Sequence, residues 1–222
     1  MKIAIITIAT GKYFKLLEPL FTSIKKFMFV NHEVTPIAFS DGKLDGYNIV
    51  YTPFLPVPLN ALFKFRYINS IDLSGYDMIF LIDGDCLVVA PIEDDIFPNN
   101  NDQIVVVQHP WEKLNAASYE KNPLSTAFVD NKETQYYQSC FLGAYRDTFL
   151  KMSKEIESNI EIDLKNRIIA KWYDESHVNR YAVHHPHKQI HSGYAYPDIY
   201  ISESPSWFVF EKKIIHYNKG SK

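Results

Sequence analysis

Residues 75–91 read GYDMIFLIDGDCLVVAP, an apolar run interrupted by two aspartates. The apolar residues 78–82 have the length and composition of a fully buried strand rather than of a helix. Asp83 and Asp85 follow at once, and two carboxylates are costly there unless a positive charge meets them. Because they flank a glycine, both can turn toward one point, where a hard cation such as Mn²⁺ or Mg²⁺ takes oxygen ligands. The alternative is an Asp-Gly turn between two hairpin strands.

Outward from this run, hydrophobic periodicity predicts alternating strands and helices in the first half of the chain. The predicted elements are strand 2–8, helix 13–29, strands 34–39 and 47–51, and a helix over about 59–71 that carries Lys64 and Arg66. This order is typical of an α/β sheet with a nucleotide-type cleft. We therefore expect one domain over residues 1–222, with about residues 1–90 as its nucleotide-binding half.

The second half of the chain has a mixed pattern. It predicts strands 104–108 and 136–145, helices 148–160 and about 162–172, a helix from an Asp174 N-cap to about residue 183, and short strands after residue 186. Polar residues 115–126 predict an irregular loop at the rim of the cleft.

Composition restricts the class of protein. Aliphatic and aromatic residues make up 46% of the chain, enough for the packed core of a single domain. Aromatic residues alone are 15%, which suits a cleft that stacks on sugar rings. A net charge of −3 argues against nucleic acid as the main partner. The first ten residues are too short for a membrane span and lack a signal-peptide cleavage pattern, so we expect a cytoplasmic protein without a membrane span.

The two cysteines, Cys86 and Cys140, both lie in apolar, strand-like segments. We expect reduced core residues rather than a disulfide, which is consistent with a reducing compartment.

A second informative segment is WYDESHVNRYAVHHPHK, residues 172–188. With Asp174 as the helix cap, Glu175 would lie in the first turn, where the helix dipole keeps a carboxylate ionised near neutral pH. An ionised carboxylate beside Trp172 and Tyr173 can stabilise or attack an oxocarbenium-like transition state. The alternative is a well-capped surface helix.

Histidines and lysines near the C-terminus are further candidates for binding metal or phosphate. The His-His-Pro-His spacing of residues 184–187 does not match the usual zinc motifs, and no cysteine lies nearby in the sequence. His216 is a candidate nitrogen ligand for the metal at Asp83 and Asp85. The tail lysines either neutralise a pyrophosphate or form a solvated basic tail; they are Lys212, Lys213, Lys219 and Lys222.

Four segments together resemble the family 6 glycosyltransferases, which include the α-1,3-galactosyltransferases and the histo-blood group A and B transferases. They are ITIATGKY (6–13), FLIDGD (80–85), YYQSCFLGA (136–144) and WYDESHVNRY (172–181). Residues 119–129 are similar to the family's Tyr-Glu-Arg-Arg region. The resemblance covers nearly the whole chain in the same order. Without an N-terminal anchor and stem, the chain resembles the short bacterial or phage-type members.

This resemblance implies a GT-A-type fold in which about residues 91–222 form the sugar- and acceptor-binding half. It also implies a retaining transferase that moves galactose or N-acetylgalactosamine from a UDP-sugar to O3 of a galactoside or oligosaccharide acceptor. It assigns Mn²⁺ (or Mg²⁺) and the diphosphate to Asp83 and Asp85. We expect Arg66 and Lys219 to help neutralise the diphosphate. The uracil and ribose are implied to bind the first strand and its loop, at Ile8, Ala9, Thr10 and Tyr13.

The resemblance also assigns roles around the sugars. Asp174 matches the acid that hydrogen-bonds the donor sugar, and Glu175 matches the proposed nucleophile or cation stabiliser. Trp111 stands alone where vertebrate members have a pair of aromatic residues. The full set of implied sugar-binding residues is Trp111, Gln138, Ser139, Cys140, Trp172, Tyr173, Asp174 and Glu175. Among these, residues 138–140 match the donor-selecting segment, the two tryptophans match acceptor contacts, and Tyr173 replaces the family's usual histidine.

Two other functions remain open. One is a UDP-sugar hydrolase or a retaining transferase of the glycogenin-like family 8. That family's His-x-x-Gly-x-x-Lys tail is loosely similar to HYNKGSK, residues 216–222, although Lys219 stands where its glycine belongs. The other is a non-catalytic carbohydrate-binding protein, against which the paired acids Asp83/Asp85 and Asp174/Glu175 argue.

Overall fold

Buried apolar strands build a seven-stranded sheet at the centre of the fold. The computed structural model describes residues 1–110, 118–130, 135–197 and 208–217. The strand order is β3-β2-β1-β4-β7-β6-β8. The strands are β1 Lys2–Ile8, β2 Glu33–Ser40, β3 Asn48–Tyr51, β4 Met78–Ile82, β6 Ile104–Gln108, β7 Tyr137–Tyr145 and β8 His187–Ile190.

The sheet is parallel from β3 to β4 and mixed beyond it. The strand β7 runs antiparallel to both β4 and β6, and β8 pairs in parallel with β6. A second, three-stranded sheet has the order β5-β10-β9. Its strands are β5 Cys86–Val88, β9 Tyr196–Pro197 and β10 Ile214–His216. The prediction of an α/β sheet with a mixed second half in one domain is confirmed.

Alternating side chains explain why both faces of the sheet are covered. Along β1, Ile3 and Ile5 join the core on the α1 side, whereas Ala4 and Ile6 join the core on the side of α3, α4 and α5. Every residue of β4 is fully buried, as its unbroken apolar run predicted. The helices are α1 Leu17–Phe27, α2 Leu59–Leu62, α3 Lys64–Asn69, α4 Arg146–Lys165 and α5 Asp174–His184.

Three helix predictions need correction. The helix predicted over 13–29 begins as a 3-10 helix, Gly11–Leu16, before α1. The helix predicted over 59–71 is two short helices that meet at Phe63, whose backbone leaves the helical region. The separate helices predicted over 148–160 and 162–172 are replaced by the single helix α4, followed by turns. Among the described residues, no helix is both long and apolar enough to cross a membrane.

The direction of β7 positions the site. Because β7 is antiparallel to β4, its first residues lie beside the last residues of β4, and Phe141 faces Ile82. The backbone N–H of Asp83 donates to the carbonyl oxygen of Cys140 at 2.8 Å. The carboxyl ends of β1 and β4 and the amino end of β7 therefore form one edge, where α/β sheets usually bind ligands.

Candidate active site

The Asp83–Gly84–Asp85 turn is held against the end of β1. A Cβ atom on Gly84 would lie 2.7 Å from the carbonyl oxygen of Ile8 and 2.8 Å from the Cβ of Ala9. Only glycine permits this close approach, which brings both aspartates beside Ile8. After the turn, β5 pairs with β10 rather than with β4, so the hairpin alternative is wrong.

Lys64 supplies a positive charge that meets these acids. Its ammonium nitrogen lies 2.9 Å from Asp83 Oδ1 and 2.7 Å from Asp174 Oδ2. The side chain is 9% exposed. Burial alone would lower the pKa of Lys64, but Asp174 and Asp83 raise it above its ordinary value, so the ammonium group stays charged. Lys64 thus joins the end of β4 to the start of α5.

Arg66, the cation expected at the diphosphate, lies elsewhere. Its guanidinium contacts Glu161 at 3.0 Å and Glu157 at 3.6 Å, both on α4. It also lies over the ring of Phe63, 4.2 Å from the centroid. Residues two apart on a helix do not share a face, so Lys64 and Arg66 cannot both turn toward the cleft. In this structure Lys64 contacts the acids of the site and Arg66 contacts those of α4, so the role of Arg66 at the diphosphate stays a prediction.

The start of α5 also differs from the prediction. Asp174 is the first residue of α5 rather than its N-cap, which is Tyr173. Tyr173 occupies the preceding position with φ 52° and ψ −125°, a strained conformation for a residue other than glycine. This conformation leaves Asp174 buried against Lys64. Burial raises the pKa of Asp174, and the Lys64 ammonium opposes that change.

Glu175 contacts the first residues of β7. The backbone N–H of Ser139 donates to Glu175 Oε2 at 3.1 Å. Burial raises the pKa of Glu175 to about 8, more than the Ser139 hydrogen bond lowers it. Burial, together with the neighbouring Glu175 carboxyl, also raises the pKa of Tyr136. The expectation that the helix dipole keeps Glu175 ionised near neutral pH is therefore wrong for this structure.

Asn179 fixes α5 against β7. Its side-chain amide donates to the carbonyl oxygens of Tyr137 at 2.8 Å and Glu175 at 2.9 Å. Its Oδ1 accepts from the N–H of Tyr137 at 2.8 Å. The side chain is fully buried and holds Glu175 one helical turn away beside Ser139. Sequence reasoning missed this residue, although an asparagine four residues after Glu175 was the available signal.

A cavity of about 220 Å³ lies beside the aspartate turn, Lys64 and Asp174. A larger, mainly apolar groove of about 570 Å³ lies between α1 and β5, and the described residues that line it are not predicted site residues. The described residues that line the smaller cavity are Ile8, Tyr13, Val57, Asn60, Ala61, Lys64, Asp83, Gly84, Asp85, Ser139, Tyr173 and Asp174. The structure thus brings together seven of the predicted site residues and adds Lys64.

The other predicted residues lie around this cavity. Ala9 and Cys140 are fully buried in the core, and Thr10 is buried just after β1. Gln138 has a buried side-chain oxygen with no hydrogen-bond partner among the described residues. Trp172 is 41% exposed. Trp111 and Lys219 lie outside the described residues, as does Lys222.

The described tail residues do not approach the acids as the lysine hypothesis expected. Lys212 lies 4.1 Å above the ring of Tyr196, and Lys213 contacts Glu211 at 2.7 Å. His216, in contrast, lies beside the turn, with Nδ1 3.9 Å from Asp85 Oδ1.

The histidines of the His-His-Pro-His segment pack against tyrosines. The ring of His185 stacks on Tyr181 with centroids 3.7 Å apart. His187 Nε2 lies 2.8 Å from the hydroxyl oxygen of Tyr137. Stacking and hydrogen bonding to these tyrosines therefore account for the positions of the His185 and His187 side chains.

The donor set at the turn fits a hard divalent cation. Asp83, Asp85 and Asp174 offer carboxylate oxygens, and Lys64 neutralises only part of their negative charge. Oxygen donors of this kind suit Mn²⁺ or Mg²⁺.

Comparison with known proteins places this cleft in a family. Over 90% of both chains, the protein is 24% identical to the O-antigen biosynthesis glycosyltransferase WbnI of Escherichia coli. It is 23% identical to the rat histo-blood group ABO system transferase 1, over 82% of this chain and 57% of that one. It is also 23% identical to the human globoside α-1,3-N-acetylgalactosaminyltransferase 1, over 89% of this chain and 62% of that one. The chain thus spans nearly the whole bacterial relative but less than two thirds of these mammalian relatives.

The sequence profile of glycosyltransferase family 6 matches residues 66–214, well over half of the chain. The matched region contains the aspartate turn, β7 and α5, whereas Lys64 lies just before it. The predicted resemblance and the GT-A-type fold are both confirmed. The chain belongs to glycosyltransferase family 6, whose members transfer a sugar from a donor to an acceptor.

Proposed function

We propose that this transferase moves galactose or N-acetylgalactosamine from a UDP-sugar to O3 of a galactoside, with retention of the α configuration. The observation that carries the proposal is the convergence of Asp83, Lys64 and Asp174 in one cleft, with Glu175 beside it. The name of the human relative, a globoside α-1,3-N-acetylgalactosaminyltransferase, supports N-acetylgalactosamine as a donor sugar and the α-1,3 linkage.

In the proposed reaction, the bond between the anomeric carbon and a diphosphate oxygen breaks, and a bond from acceptor O3 to that carbon forms. The acceptor proton leaves with the departing phosphate oxygen. Positive charge develops on the sugar ring in the transition state, and in this proposal the ionised form of Glu175, which becomes dominant as the pH rises through about 8, stabilises it. Asp174, held by Lys64, would accept hydrogen bonds from donor-sugar hydroxyl groups.

A divalent cation would be held by Asp83 and Asp85. When bound, Mn²⁺ or Mg²⁺ neutralises charge on the diphosphate leaving group. The protein's own contribution is the Lys64 ammonium, which holds Asp83 at 2.9 Å and fixes its orientation toward the cavity edge. The remaining donor contacts would come from Ile8 and Tyr13, which line the same cavity.

Donor selection is proposed for residues 138–140. Ser139 lines the cavity, whereas the side chain of Cys140 is fully buried. We favour N-acetylgalactosamine over galactose because the name of the human relative gives that donor sugar. Cys140 is not among the described residues that line the cavity. We expect substitution of Gln138 by a smaller residue to change the ratio of the two donors more than the stability of the protein.

The experiment is a donor panel read by UDP release, with and without a lactose-type or fucosylated acceptor. We expect release from UDP-galactose or UDP-N-acetylgalactosamine that depends on the acceptor, and a product with an α-1,3 linkage by NMR. Rapid release without acceptor would instead indicate a hydrolase. Preference for UDP-glucose would indicate a family 8-like activity, and binding without release a carbohydrate-binding protein.

A further inference from the structure

Two thiols and an imidazole meet behind the aspartate turn. The sulfur atoms of Cys86 and Cys140 and a ring nitrogen of His216 all lie within 4.8 Å of one another. Both cysteines are free and fully buried, and His216 is mostly buried. The three residues come from β5, β7 and β10, so the fold brings the cluster together rather than any local sequence motif.

The spacing of these three atoms is close to that of a metal site. Bonds of about 2.3 Å to sulfur and about 2.0 Å to nitrogen place the ligands of a tetrahedral zinc ion roughly 3.5 to 3.8 Å apart. In this structure the three ligand atoms lie no more than 4.8 Å apart. Each atom would therefore need to move by no more than about 1 Å to bind one shared ion.

An unsatisfied nitrogen points to the same conclusion. His216 Nε2 is buried and makes no hydrogen bond of ordinary geometry with a described residue, although the His216 side chain interacts with the Cys140 thiol. A buried polar group without a partner is costly, and a bound ion would remove that cost. The two thiols lie in the apolar core formed with Phe141 and Ile214, where isolated charges are unfavourable. Two thiolates, a neutral imidazole and a divalent cation carry no net charge.

We propose that Cys86, Cys140 and His216 bind a soft divalent metal ion of the zinc class. This site is separate from the oxygen site of Asp83 and Asp85, because thiolates select zinc and carboxylates select manganese or magnesium. His216 is therefore a ligand of the soft ion rather than of the manganese. A water molecule completes the tetrahedral coordination, and Asp85 remains with the oxygen site.

The bound ion would act as a structural clamp. Cys86 directly follows Asp85, and His216 is the last residue of β10. The carbonyl oxygen of Cys140 accepts a hydrogen bond from the backbone N–H of Asp83. One ion would join all three segments and hold the aspartate turn at a fixed depth in the cleft. Structural zinc sites stabilise folds in this way.

The test is a titration of the chelator-treated, reduced protein with Co²⁺ alone. We expect the near-ultraviolet thiolate-to-cobalt charge-transfer absorption to saturate at one Co²⁺ per chain and to disappear when Zn²⁺ is added. Oxygen ligands do not produce this absorption, so Asp83→Asn should retain it. Cys140→Ser and Cys86→Ser should weaken Co²⁺ affinity by at least about 100-fold, since even groups outside the coordination sphere contribute about 10- to 100-fold.

His216→Gln removes one proposed ligand without removing a buried sulfur atom. This variant should therefore keep the fold but bind Co²⁺ more weakly than the wild type. His32→Gln is the matched control, because His32 pairs with Asp94 away from this cluster. Zn²⁺ should raise the melting temperature of the wild type and of His32→Gln, but not that of His216→Gln. Absence of the absorption in the reduced wild type overturns the proposal, as does equal absorption in His216→Gln. A Cys86–Cys140 disulfide that persists after reduction also overturns it.

Discussion

At Glu175, burial and hydrogen bonding act on the carboxyl group in opposite directions. Burial raises its pKa from 4.5 to about 8, and the Ser139 N–H only partly offsets this. Because the pKa is raised in the folded state, the contribution of this group to stability is fully present below about pH 4.5. It is lost as the pH rises through about 8.

The first prediction concerns turnover against pH. Since the proposed reaction needs ionised Glu175, wild-type turnover should rise with pH and level off above about 8. Glu175→Gln keeps the shape but removes the charge, so its profile should lose this rise. Its turnover should fall by about 10²-fold, or about 3 kcal/mol of transition-state stabilisation. Steady-state rates measured across this range provide the test.

Donor affinity is the control for this variant. Calorimetry should find UDP-sugar binding by Glu175→Gln within a few-fold of the wild type. Thermal melts should show the variant gaining stability relative to the wild type as the pH approaches about 8. Weakened binding with nearly intact turnover would make Glu175 a positioning residue.

Lys64 and Arg66 form a matched pair for the second prediction. The Lys64 side chain is 9% exposed between two carboxylates, whereas the Arg66 side chain is 43% exposed and pairs with acids of α4. Lys64→Gln leaves Asp83 and Asp174 facing each other without compensation and should cost about 3 kcal/mol or more in unfolding free energy. Arg66→Gln should cost less than about 1 kcal/mol. Urea denaturation measures both changes.

Turnover should also distinguish the role of Lys64 from that of Arg66. If Lys64 orients Asp83 and Asp174, Lys64→Gln should lose most activity even at temperatures where it is folded. Arg66→Gln should remain close to the wild type. Equal effects of the two substitutions on both stability and turnover would remove Lys64 from the proposed site.

Among the secondary-structure elements, β10 connects the tail to the active-site turn. Its residues Ile214, Ile215 and His216 pair with Val88, Leu87 and Cys86 of β5. The N–H of Tyr217 donates to the carbonyl oxygen of Asp85 at 2.7 Å. The tail up to residue 217 is therefore part of the fold, and a role in covering the diphosphate belongs only to the residues after it.

The third prediction compares two truncations. Ending the chain after Glu211 removes β10 and the fully buried Ile214, and it should cost at least about 2 kcal/mol in stability. Ending it after Tyr217 retains β10 and removes Lys219 and Lys222, so turnover should fall more than the melting temperature. Melting curves and turnover of both forms test this. Unchanged turnover in the form that ends after Tyr217 would show that Lys219 and Lys222 do not contribute to transfer.

On the scale of the whole molecule, the sheet gathers charges from distant parts of the chain. The end of β4, the short helix α3 and the start of α5 supply Asp83, Lys64 and Asp174 to one edge. The chain as a whole has a net charge of only −3, so the local excess of carboxylates is a property of the fold rather than of the composition. Such an excess favours a divalent cation.

The fourth prediction is metal-dependent transfer. Chelation with EDTA should abolish activity, and Mn²⁺ should restore it better than Ca²⁺, because Ca²⁺ prefers a larger coordination shell. Zn²⁺ at the cysteine cluster should not replace Mn²⁺ in the turnover assay. Full activity in the chelator, or unchanged activity in Asp85→Ala, would contradict the role of the aspartate turn.

Much of the fold and of the site follows from local sequence. The length and composition of the apolar run 78–82 predicted a buried strand, and Asp83 and Asp85 predicted its end, because unpaired carboxylates are costly in an apolar core. The family segments located Asp174 and Glu175 as well. These features depend on the order of residue types along the chain, which sequence patterns record directly.

Tertiary packing decided the rest. Periodicity could not say which of Lys64 and Arg66 faces the cleft, because that depends on the break at Phe63 and on the acids of α4. The protonation of Glu175 was predicted incorrectly because burial, which depends on all neighbouring segments, outweighs the helix dipole. Cys86, Cys140 and His216 come together only through the pairing of β5, β7 and β10 with their neighbours. The sequence determined which chemical groups are present and in what order, and the fold determined which of them meet.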